Sequence, residues 1–86
     1  MNIRDDFPIL QRTSRSKPLV YLDNGATTQK PQQVIDTIDR YYRQHNANVH
    51  RAAHELAEEA TALLEECRTK AQAFMNAAHR ESVIFT

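Results

Sequence analysis

Few residues in this chain have the type and spacing to do chemistry. His50 and His54 are four apart, a separation that could set two imidazoles on one helical face as in a zinc metalloprotease helix. That motif needs a glutamate beside its first histidine as general base, and Arg51 stands there instead. No further ligand cluster follows, so no metal site is expected. Lys17, Lys30 and Lys70 are amines, but a lysine that forms a Schiff base needs a desolvated pocket that lowers its pKa. All three have polar neighbours in sequence and are expected to be solvated surface cations. Cys67, the single cysteine, falls on the apolar stripe of a helical pattern, which predicts a buried, inert thiol. Asp23 and Glu55 are carboxylates whose mutual geometry nothing in the sequence fixes. His50 is the residue of most interest. It follows a turn and is expected to open a long helix, where a neutral imidazole could donate to or accept from a ligand.

These residues must be positioned by a small number of elements. Ile3 to Leu10 is a short amphipathic stretch broken by Pro8, followed by a polar loop to Pro18. Leu19-Val20-Tyr21-Leu22 reads as a brief strand closed by Asp23-Asn24-Gly25. Gly25, the only glycine, is expected to relieve a positive φ or a tight bend at that turn. Pro31 suits the first position of a helix, and Val34, Ile35, Ile38, Tyr41 and Tyr42 recur on one face up to about residues 44–46. Asp36–Arg40 and Asp39–Arg43 are spaced to pair on the other face. Leu56, Ala60, Leu63, Leu64, Cys67, Ala71, Phe74, Met75 and Ala78 form a longer stripe, predicting a helix over 52–77. At 1.5 Å per residue that helix is about 38 Å long, more than the roughly 30 Å breadth of a compact chain of this size. Ser82-Val83-Ile84-Phe85-Thr86 reads as a second strand. Two short strands at opposite ends do not make a self-sufficient sheet, so the pattern suggests a fragment of a larger α/β unit.

Composition narrows the function classes. Eleven basic residues balance eleven acidic ones, which leaves no electrostatic footprint for nucleic acid or an anionic membrane. A hydrophobic fraction of 41% and a charged fraction of 26% are ordinary for a globular protein and argue against disorder. No apolar run is long enough to span a bilayer. The opening Met-Asn-Ile-Arg-Asp-Asp-Phe-Pro lacks the apolar core of a signal peptide, and one cysteine allows no internal disulfide. Together these predict a reducing, cytoplasmic setting.

Three stretches carry a resemblance. Phe7-Pro8-Ile9-Leu10, then Leu19-Val20-Tyr21-Leu22-Asp23-Asn24-Gly25-Ala26-Thr27-Thr28-Gln29-Lys30-Pro31, then Asn48-Val49-His50-Arg51 closely resemble the opening of SufS-type cysteine desulfurases. These belong, with selenocysteine lyases, to the class V aminotransferase branch of the pyridoxal 5'-phosphate (PLP) enzymes. The resemblance runs through essentially the whole chain, with one departure, Gly25, where the family usually has alanine.

The resemblance implies an α/β fold: an N-terminal fragment of a PLP-dependent transferase subunit of the aspartate aminotransferase-like fold type I. Two helices would dominate it, with short strands near 19–22 and 82–86. Residues 1–18 would be an N-terminal arm and 19–86 the start of an incomplete aminotransferase domain. It implies a parent enzyme that removes sulfur from L-cysteine, giving L-alanine and an enzyme persulfide for iron–sulfur cluster assembly, with PLP as cofactor, a homodimeric state and a sulfur-acceptor protein as partner. Ala26, Thr27 and His50 match positions that line the substrate pocket, while Arg51 more naturally braces a loop or dimer interface. The family's phosphate-binding Gly-Thr-Thr loop, Schiff-base lysine, pyridine-nitrogen aspartate, ring-stacking histidine and persulfide cysteine lie beyond residue 86. The 86 residues alone are therefore expected to hold no PLP, no metal and no catalytic residue. Two alternatives stand beside this expectation: a selenocysteine lyase of the same family, and an independent helical module that binds a protein through the 56–78 stripe.

Overall fold

Asn2 accepts the Arg4 amide on its side-chain oxygen at 3.1 Å and so caps a 3-10 turn over Ile3–Asp6. A second 3-10 turn, Pro8–Gln11, follows directly. The computed structural model describes residues 2–51 and 53–86. Met1, the first residue of the expected arm, and Ala52, the expected start of the long helix, lie outside them. The chain divides into two compact units, the first closing at Tyr41 and the second running from Tyr42 to Thr86.

In the first unit the stretch expected to be loop holds the only sheet among the described residues. Strand β1 (Thr13–Ser14) pairs antiparallel with β2 (Lys17–Pro18) in the register Thr13↔Pro18 and Ser14↔Lys17. The two-residue connection has positive φ at both positions, 52° at Arg15 and 64° at Ser16. That is the primed turn whose twist matches a hairpin. Arg4 then ties the turns to the segment beyond, its guanidinium donating to the Leu19 carbonyl at 3.0 Å. The expected strand at 19–22 does not form. A strand requires a ladder partner, and here Val20 and Leu22 are exposed while the Leu19 carbonyl is taken by a side chain. Gly25 corrects a second expectation. It bends without a positive φ, and a Cβ built there meets nothing within 4 Å. Among the described residues the positive-φ positions are Arg15, Ser16, His50 and Asn76.

Helix α1 (Gln32–Gln44) follows Pro31, whose carbonyl accepts from the amides of Val34 at 3.0 Å and Ile35 at 3.2 Å. Pro31 thus caps the helix instead of forming its first residue, a shift of one position. Asp36 accepts from Gln32 at 2.7 Å, one turn before it. The boundary between the two units falls inside this helix, after Tyr41.

Helix α2 (Glu55–Met75) is the spine of the second unit. Its start is fixed by His54, whose Nδ1 accepts the Ala57 amide at 3.2 Å. Glu55 and Glu58 in its first turn suit the positive end of the helix dipole. Its end is a Schellman arrangement. Asn76 turns left-handed at φ 55°, and its amide reaches the Ala73 carbonyl while the Ala77 amide reaches that of Gln72. Ala57 and Ala60 are 1% exposed and Val83 6%, and these are the buried apolar residues among those described. The 3-10 turn Arg80–Ser82 packs against α2, and Val83 directly after it is buried. The covered side is therefore centred on Ala57, Ala60 and their helical neighbours. The expected stripe sits at its margin, with Leu56, Leu63 and Met75 exposed and Phe74 91% exposed. The expected strand at 82–86 is replaced by the 3-10 turn and an unladdered tail, because the Val83 carbonyl accepts from Arg68 instead. No described helix is long and apolar enough to cross a membrane.

Two substitutions test these backbone assignments. Asn76→Ala places a Cβ-bearing residue without asparagine's tolerance in the left-handed cap and should cost about 1 kcal/mol, whereas Asn76→Gly should hold or raise stability. Gly25→Ala should stabilise by about 0.4–1 kcal/mol, through the unfolded chain. Thermal unfolding followed at 222 nm reads both, and a loss on Gly25→Ala would show a backbone that alanine cannot adopt.

Candidate functional site

His50 lies in the turn ahead of α2, not on the helix, since α2 begins at Glu55 and takes His54 as its cap. The expected helix-start position, and with it the dipole argument for His50, is corrected accordingly. The same boundary removes the shared helical face imagined for His50 and His54. His50 adopts φ 62°, a left-handed value uncommon for a residue with a Cβ. Two contacts from α2 hold it there. Its amide donates to the Thr61 hydroxyl at 3.0 Å, and its Nε2 lies 3.0 Å from Glu65 Oε1. The ring remains 49% exposed.

Glu65 is the common partner of several groups. Its Oε2 accepts from Arg68 Nε at 3.1 Å and lies 3.8 Å from Arg80. Arg68 also donates to the Val83 carbonyl and stacks over Phe85, 5.0 Å from the ring centroid. Arg80 reaches Glu81 at 3.6 Å. Glu65, Arg68, Arg80 and Glu81 line an open depression on this surface. A second histidine, His45, pairs through Nδ1 with Glu59 at 3.0 Å, so both ends of the 45–50 segment are fastened to α2.

Ala26 and Thr27 belong to the first unit and His50 to the second. The 21–31 loop is braced within itself. Tyr21 donates its hydroxyl to the Thr27 carbonyl at 3.0 Å, Thr28 donates to the Asn24 side chain at 3.0 Å, and Lys30 donates to both Thr27 Oγ1 and the Thr28 carbonyl. Ala26 and Thr27 are exposed at its apex.

The lysines present do not fit a cofactor-binding role. Lys17, Lys30 and Lys70 are all exposed, the second engaged as above and the third paired with Glu66 at 2.8 Å. That pair lowers the Glu66 carboxyl, by the hydrogen bond from Lys70 and then its charge, and raises the Lys70 amine by the reciprocal contacts. An amine held charged in this way is the opposite of a Schiff-base nucleophile. Cys67 is exposed, against the expectation of burial, because α2 turns the Ala57–Ala60 side inward and leaves the Leu63–Cys67 side uncovered.

With this geometry in place, similarity to known proteins decides the family. The aminotransferase class-V family model matches residues 20–86. The chain belongs to the class-V aminotransferase family. Within that family it is 59% identical over 85 residues to a Streptomyces coelicolor protein named probable cysteine desulfurase, covering 98% of this chain and 20% of that protein. It is 53% identical over 83 residues to the cysteine desulfurase of Synechococcus elongatus, covering 96% of this chain and 13% of that one. Among solved structures, the apo cysteine desulfurase of Thermococcus onnurineus superposes with a TM-score of 0.81 at 36% identity, over 98% of this chain and 19% of that one. The chain thus spans about a fifth or less of the length of these class-V relatives.

Sequence reasoning missed Thr61, Glu65 and Arg68 as partners of the turn. The available signal was their spacing, i, i+4 and i+7, which places three polar side chains along one face of α2. Their roles need the distant residues 50 and 83, which no local pattern supplies. For Cys67 the structure gives a direct expectation. The thiol of this chain should react fully with a disulfide reagent such as DTNB in native buffer, at a rate within a few-fold of that in denaturant. Strong native protection would show the Cys67 face to be covered.

Proposed function

We propose that these residues form the N-terminal wall of a PLP-dependent cysteine desulfurase, of the aspartate aminotransferase-like fold type I. That enzyme would take sulfur from L-cysteine, leave L-alanine and pass an enzyme persulfide to an acceptor protein for iron–sulfur cluster assembly. The reading rests above all on one observation: near-complete coverage of this chain by proteins named cysteine desulfurases at 46–59% identity. A homodimer in the cytoplasm is part of the same proposal. PLP would supply the electron sink when bound, and the residues that hold it would lie outside these 86, as the exposed lysines imply.

This chain's own contribution is recognition of substrate. His50, held in the turn by Thr61 and Glu65, would offer its imidazole to L-cysteine, and the backbone around Ala26 and Thr27 would line the rim where the substrate carboxylate lies. The internal bracing by Tyr21, Thr28 and Lys30 gives that rim a fixed shape.

In a PLP-loaded desulfurase that includes these residues, His50→Ala should lower kcat/KM for L-cysteine by at least about tenfold, with thermal stability nearly unchanged, as expected when a transition-state contact is lost from an exposed residue. Unchanged kinetics would place His50 on the surface and remove it from the pocket.

A further inference from the structure

We propose that Glu65 and Thr61 are positioning residues for His50, setting its tautomer and ring orientation from the face of α2. The inference deepens the desulfurase reading and rests on it for the role of His50. An ionised carboxylate only accepts hydrogen bonds, so Glu65 Oε1, 3.0 Å from Nε2, places the neutral ring's proton on that nitrogen. Nδ1 is thereby left as the acceptor, suited to an N–H donor such as the amino group of an amino-acid substrate. Thr61 adds the second constraint, accepting the His50 amide at 3.0 Å and holding the residue at φ 62°.

Glu65 is itself immobilised, which separates it from an ordinary surface pair. It is 23% exposed, bonded to Arg68 at 3.1 Å and near Arg80 at 3.8 Å, with Glu81 balancing Arg80 from the other side. Arg68 is anchored in turn by the Val83 carbonyl and the Phe85 ring. The orientation of the His50 ring is therefore carried through Glu65 and Arg68 to the 83–85 segment. Removing Glu65 also takes a partner from Arg68 and Arg80, so the positioning role is read from the turnover of enzyme shown to be folded and PLP-loaded, apart from any change in stability.

The test is a set of double-mutant cycles in the PLP-loaded desulfurase that includes these residues, read as kcat and KM for L-cysteine. Glu65→Ala should lower kcat/KM about tenfold, mostly in kcat, and Glu65→Gln should recover most of that loss because its amide oxygen still accepts from Nε2. Thr61→Val should give a smaller loss, and Thr61→Ser should restore it. Neither Glu65→Ala nor Thr61→Val should worsen a His50→Ala enzyme, the signature of residues acting through one another. Thermal midpoint and cofactor absorbance report folding, and if Glu65→Ala does not fold, the Thr61→Val cycle decides alone. Losses that multiply with that of His50→Ala overturn the positioning role while leaving His50 in the pocket. A silent His50→Ala overturns both the inference and the pocket reading.

Discussion

The Glu65 carboxylate is where the second unit is tied together. It receives the imidazole of His50 from the turn before α2, the guanidinium of Arg68 from its own helix and that of Arg80 from the 3-10 turn beyond. Arg68 carries the connection to Val83 and Phe85. Four separate stretches of chain thus meet through one acid and one base. Such a network is costly unless every member is paired, since a half-buried charge that loses its partner keeps its desolvation penalty. Here each charge has an opposite neighbour. The apolar part of the same junction is small. Ala57 and Ala60 on α2 and Val83 after the 3-10 turn are the buried apolar residues among those described, and the two alanines have almost no side chain to bury.

That economy leaves much apolar surface uncovered. Val34, Ile35 and Ile38 on α1 and Leu56, Leu63, Phe74 and Met75 on α2 are all exposed. An 86-residue chain buries only about 60% of its unfolded surface even when well packed. Single exposed apolar residues need no explanation, but rows at helical spacing do. The rows have the 3.6-residue period of core-facing helices, and the chain spans about a fifth of the length of its class-V relatives. Helix patterning and the length of the relatives therefore point the same way, to helices that are patterned for more protein than these residues provide.

How much of this was legible in the sequence depended on whether the signal was local. Both helices could be read from their apolar period, because each forms its own hydrogen bonds and needs no distant partner. The strands at 19–22 and 82–86 were read from β-branched and aromatic residues, but a strand exists only where another supplies its ladder, and none does so here among the described residues. The hairpin at 13–18 was missed because its turn is made by Arg15 and Ser16, not by the Asn-Gly or Asp-Gly pairs that signal such turns. Gly25 drew attention to the wrong place for the same reason: residue type suggested a left-handed backbone that the chain adopts elsewhere. Cys67 was expected to be buried because it lies on the same stripe as Ala60, but the covered side of α2 is turned toward Ala57, Thr61, Leu64 and Arg68 and leaves Cys67 just outside it. Ala26, Thr27 and His50 were singled out by resemblance alone, while the partners of His50 lay too far along the chain to be seen.

His50 is where local rules break. A left-handed histidine costs free energy, on the order of 1–3 kcal/mol for a strained residue, and persists only if its surroundings over-determine it. Thr61 fixes the backbone and Glu65 fixes the ring, so the two degrees of freedom that such a turn would otherwise leave loose are both removed. A glycine would occupy the same backbone with less strain. An imidazole there, half-exposed and held from two directions, is already ordered by the fold, as the proposed substrate contact would require. The other positive-φ residues, Arg15, Ser16 and Asn76, shape a hairpin turn and a helix end. Of these four, His50 alone carries an imidazole, and both its backbone and its ring are held from α2.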